Sequence, residues 1–77
     1  IMKIVKLNNT HTFFHKGCTV ALRFSSPWSP GAMQCRKALA NMDNTKWFTF
    51  NSGHRRPYWI GFKDEKLMTW LLLVKDN

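Results

Sequence analysis

Residues 46–74 read KWFTFNSGHRRPYWIGFKDEKLMTWLLLV, and the way this stretch folds decides the rest. Two runs rich in aromatic residues, 47–50 and 58–62, flank the polar segment 51–57, which carries Gly53 and Pro57. Aromatic and β-branched runs bounded by turn residues predict the two strands of a hairpin. Residues 63–65 then interrupt the apolar pattern, and a carboxylate there can accept from the free N–H groups of a helix start. The stretch therefore reads strand, basic loop, strand, short helix, final apolar strand.

A chain of 77 residues makes one domain, 1–77, with a core too small for a large buried cavity. With 44% hydrophobic and 14% aromatic residues it is not a disordered chain. Twelve Lys and Arg against four Asp and Glu give a formal charge of +8, which favours anionic partners. Ile1 ahead of Met2 reads as a cloning remnant, with Met2 as the natural start. Lys3 and Lys6 interrupt the apolar residues too early for a secretory signal. The run 70–74 falls far below the roughly 20 residues needed to span a bilayer. The expectation is a cytoplasmic protein without a membrane partner, whose Cys18 and Cys35 are free, buried thiols.

Working outward, residues 2–7 (MKIVKL) suit an edge strand with Lys3 and Lys6 as its charges. Residues 8–17 read as a loop or irregular arm around Phe13 and Phe14. In 18–24 (CTVALRF), Val20, Leu22 and Phe24 alternate with Thr19, Ala21 and Arg23, the period of a half-buried strand. Ser29 followed by Pro30 is a helix start, a hydroxyl cap and then a proline at the first helical position. That helix is expected to reach Met42, with Ala32, Cys35, Leu39 and Met42 on one apolar face. Setting aside 1–17 as an extra N-terminal strand or arm, residues 18–77 give the order βαββαβ. The fold class is α+β, and the order is ferredoxin-like: helices on one sheet face, the other open.

Residues 55–62, RRPYWIGF, resemble the octamer of the RNA recognition motif family. Arg55 stands at the basic position, Trp59 at an aromatic stacking position, and Ile60 and Phe62 at the core positions. Pro57 occupies the second stacking position, while Arg56 and Tyr58 replace small residues, so the likeness is partial. It implies RNA or single-stranded DNA bound on the sheet face. The final residues, GFKDEKLMTWLLLVKDN, resemble the endings of small bacteriophage-encoded proteins through Phe62, Asp64, Glu65, Met68, Trp70, Leu71 and Leu73. That resemblance implies a chain that binds host machinery in the host cytoplasm.

Spacing offers less chemistry. His11, His15 and Cys18, with Cys35, are candidate zinc donors, but three crowd one loop and the fourth lies on an apolar helix stripe. Two surface histidines and two core thiols are the preferred reading, and no metal or cofactor is expected. His54 beside Arg55 and Arg56 offers one base and a phosphate clamp for RNA hydrolysis, yet no second titratable group is placed beside it. The candidate partner-binding residues are Arg55, Arg56, Trp59, Trp47, His54 and Lys46. If Phe48, Phe50, Ile60 and Phe62 form the core, Trp47 and Trp59 face outward together. The sequence reading is a non-enzymatic basic protein that inhibits or redirects a host macromolecule, with direct RNA or single-stranded DNA binding as the alternative. A small ribonuclease stands behind both.

Overall fold

The computed structural model describes residues 2–43, 45–51 and 57–74, and of Phe13 and Asn51 the backbone alone. The expected hairpin is present as β3 (Trp47–Asn51) and β4 (Tyr58–Phe62), paired antiparallel from Trp47 opposite Phe62 to Asn51 opposite Tyr58. The other edge of β4 pairs antiparallel with β2 (Val20–Phe24), and β1 (Lys3–Lys6) pairs antiparallel with the outside of β2. The sheet order is thus β1-β2-β4-β3, with β1 and β3 at the edges. Lys3 and Lys6 discourage further strands from adding at β1.

Both helices pack on one face. The first, α1, is Pro30–Leu39, with Ser29 as an extended N-cap residue (φ −62°, ψ 148°). The Ser29 hydroxyl does not cap the helix as expected; it donates to the Ser26 carbonyl at 3.0 Å, while the Ser29 carbonyl accepts from the Met33 N–H. The helix also stops short of Met42. Ala40 and Met42 N–H groups donate to Lys37 and Leu39 carbonyls, a tightened i−3 turn, and the Met42 side chain is exposed. Ala32, Cys35 and Leu39 are buried as the apolar stripe requires.

The C-terminal expectation needs a larger correction. Residues 65–74 form one helix, α2 (Glu65–Val74), where a short helix and a strand were expected. Asp64 Oδ1 accepts from the Lys66 N–H at 2.9 Å, the carboxylate cap foreseen at this point. Met68 and Leu71, three residues apart, then reach the core. A strand here has no inner place to go, because β1 already occupies the outer edge of β2. Among the described residues the element order is therefore ββαββα and not βαββαβ.

The registers divide the side chains between two faces. On the helix side, Val20, Leu22 and Phe24 of β2 meet Tyr58, Ile60 and Phe62 of β4, and these pack with Ala32, Cys35, Leu39, Met68 and Leu71. On the other side Leu7, Cys18 and Ala21 form a second small core with Val5, Phe48 and Trp59 packed around it. The segment 7–18 builds that cover. Leu7 N–H donates to Thr19 O, Thr19 N–H to Phe62 O, and Asn8 Oδ1 accepts from Thr10 N–H. A 3-10 helix, Thr12–Lys16, follows, closed by Gly17 at φ 91°, a conformation that favours glycine. Residues 2–17 thus hold the expected edge strand and then a cover over the sheet, and the face expected to be open is open only in part.

Candidate functional site

Cross-strand pairing aligns one row across all four strands on the helix-free side. Lys3 lies opposite Arg23, Arg23 opposite Trp59, and Trp59 opposite Phe50. At about 4.8 Å between strands, the row spans roughly 14 Å. The Arg23 guanidinium sits 5.8 Å from the centre of the Trp59 ring, and Phe50 is 46% exposed at the far end. The adjacent row, Val5, Ala21, Gly61 and Phe48, lies beside the covering segment. Lys16 and Lys63 both sit over the Phe48 ring, 5.4 and 5.2 Å from its centre. Lys3, Arg23, Lys16 and Lys63 therefore share this face with the rings of Phe48, Phe50 and Trp59.

Where the covering segment meets β3 and β4, Thr10, His11, Thr12, Phe50 and Trp59 line a cleft of about 220 Å³. That is smaller than the roughly 300–1,000 Å³ of ordinary small-molecule sites, and has room for one planar group. The His11 ring is 6.2 Å from that of Trp59, tilted by 52°. Its Nδ1 accepts from the Asn8 N–H at 3.1 Å, which leaves Nε2 as the donor of the neutral ring. Of the three described carboxylates, Asp43 accepts from the Thr45 N–H at 3.0 Å, Asp64 caps α2, and Glu65 stands in the first turn of that helix. The Thr45 N–H and hydroxyl hold the Asp43 carboxyl below its usual range.

Trp59 lies on the side of the sheet away from α1 and α2. Trp47 does not: it pairs with Phe62, and so faces the helices, half-buried, its indole N–H buried without a hydrogen-bond partner among the described residues. Phe48 and Phe50, expected in the main core with Ile60 and Phe62, share the helix-free side with Trp59 instead. Side chains alternate along a strand, so a one-residue difference in register exchanges the faces of a whole strand. Lys46 lies at the end of β3 remote from Phe50, where its carbonyl accepts from the Lys63 N–H at 2.9 Å. His54, Arg55 and Arg56 lie outside the described residues.

Lys3, Arg23, His11 and Phe50 lie on this face or in its cleft and are not among the partner-binding residues singled out from the sequence. The alternation of 18–24 already set Arg23 apart from the core residues, but only the strand order places it between Lys3 and Trp59. The candidate zinc donors do not converge. Cys18 belongs to the small core on the helix-free side and Cys35 to the helix-side core, and no three metal-binding side chains gather among the described residues. Burial pushes the Cys18 thiol up, against the pull of Lys63 and Lys16.

Compared with protein-family models, curated proteins and solved structures, the chain matches none. Among the described residues no helix is long and apolar enough to cross a membrane.

Proposed function

We propose that this chain is a non-enzymatic binding protein that engages an anionic host macromolecule through the helix-free face of its sheet, and so inhibits or redirects it. The observation that carries this reading is the row Lys3, Arg23, Trp59 and Phe50, in which charge and aromatic area lie side by side on four paired strands. Side chains on paired strands are held by the sheet, so little conformational freedom is lost when a partner binds. Aromatic and arginine side chains are the commonest anchors of macromolecular contacts. The small cleft and the separated thiols and histidines favour binding over catalysis. A phage origin rests on the likeness of the last third of the sequence to small phage proteins. The sheet itself is read as ferredoxin-like, with its outer strand beside β2 supplied from the start of the chain.

Photo-cross-linking tests the face. A photo-reactive phenylalanine at position 50 is expected to yield adducts in a bacterial host lysate. The same group at position 33, exposed on α1, is expected to yield few. Equal yields at the two positions, or adducts only from position 33, would place the binding surface elsewhere.

A further inference from the structure

We propose that the partner of this face is a single strand of nucleic acid, one base of which enters the cleft among Thr10, His11, Thr12, Phe50 and Trp59. This inference rests on the preceding reading of the face and names its ligand. Two juxtapositions of like charge point to an anion. Lys3 lies directly opposite Arg23, and like charges so placed destabilise a sheet. Lys16 and Lys63 share the single ring of Phe48. Of the described carboxylates, Asp43 and Asp64, the latter next to Lys63, accept backbone N–H groups in local turns, and Glu65 stands in the first turn of α2. A phosphate chain along these cations relieves both repulsions.

The aromatic side chains separate a nucleic acid from a simple polyanion. Every base has a π-face, and bases stack on exposed rings without regard to sequence. Phe50 and Trp59 line a cleft that fits a single planar group, where the His11 Nε2–H and the Thr12 hydroxyl can meet the base edge and the Thr10 hydroxyl, which donates to Asn8 Oδ1, can only accept. A base paired within a duplex cannot enter such a cleft without leaving its stack, so the site selects single strands. The row is roughly 14 Å long, which limits contact to a few nucleotides.

The test is fluorescence anisotropy of labelled oligothymidine, oligoadenosine and a duplex of matched length, titrated with the full chain between about 50 and 200 mM salt. The single strands are expected to bind more tightly than the duplex. Phe50→Ala is expected to weaken binding roughly 5- to 150-fold, the loss of one stacked base. Lys3→Ala with Arg23→Ala is expected to flatten the logarithmic salt slope by about 1.4, two phosphate contacts on a single strand. Circular dichroism of each variant establishes that it is folded. Equal affinity for duplex and single strand, or an unchanged affinity in folded Phe50→Ala, overturns the proposal. So does an absence of oligonucleotide binding at micromolar protein. The position-50 cross-link then separates the two failures. A nuclease-resistant protein adduct leaves the face standing with a protein partner, and no adduct overturns the face as well.

Discussion

Phe50 and Trp59 stand directly opposite one another on β3 and β4, on the side of the sheet away from α1 and α2. Three residues along the ladder, Phe62 of β4 lies fully buried on the helix side, opposite Trp47. The same hairpin therefore supplies the main core with one set of aromatics and the candidate site with the other.

This division gives a direct contrast between two phenylalanines. Phe62→Ala opens a cavity in the main core and is expected to cost about 3–5 kcal/mol. Phe50→Ala removes a half-exposed ring and is expected to cost less than about 1 kcal/mol. Urea unfolding of the two variants measures both, and similar costs would contradict the register.

The two cysteines lie in cores on opposite sides of the sheet. A disulfide needs Cα atoms within about 7 Å, on side chains that point toward each other. Oxidation of the folded protein is therefore expected to produce no intrachain bridge, and a thiol reagent is expected to react with neither residue until urea is added. Rapid labelling of native Cys18 or Cys35 would show a core more open than described.

Alkali is expected to destabilise the fold. Burial raises the Cys18 thiol above its ordinary 9.0 and the Tyr58 hydroxyl above its ordinary 10.0, Arg36 and Thr49 opposing the latter in part. The folded chain thus holds these protons more tightly than the unfolded chain does. Their contribution is whole below about pH 9, and it is lost as pH rises through 9 and 10 toward the raised values. Unfolding free energy measured along this range should fall, and Tyr58→Phe should fall less steeply above about pH 10. A flat profile would rule out the assigned burial.

Two glycines are expected to respond in opposite ways. Gly17 has φ 91°, so Gly17→Ala strains the backbone and should cost about 1 kcal/mol. Gly31 lies in the first turn of α1, and an added Cβ would meet the Phe24 ring at 3.4 Å, the edge of ordinary contact. Gly31→Ala should then raise stability by about 0.5 kcal/mol through helix preference. Thermal melts of both variants check the signs.

The strands and the start of α1 were legible because their signals are local. Aromatic runs bounded by turn residues marked β3 and β4, and Ser29–Pro30 marked a helix entry. The end of the chain was not legible, since 70–74 is apolar at every position and has neither a two-residue nor a helical period to read. The faces of β3 were misread because register depends on the connection between the strands, and one residue reverses it. The site was only partly legible. Trp59 announced itself by type, but Lys3 and Arg23 are distant in sequence and meet only because β1 pairs with β2.

The central ladder, between β2 and β4, joins Val20 to Phe62 and Phe24 to Tyr58, so the whole of α1 and β3 lies between partners. On the ribosome β1 and β2 emerge before β4 and can zip together, but the backbone groups along the inner edge of β2 wait until β4 has been made. For that interval the nascent chain carries an apolar strand with unpaired backbone groups, open to any neighbouring strand. Closing so long a loop sets the pace of folding, and a slowed ribosome between residues 24 and 58 would prolong the interval in which this small basic chain can aggregate.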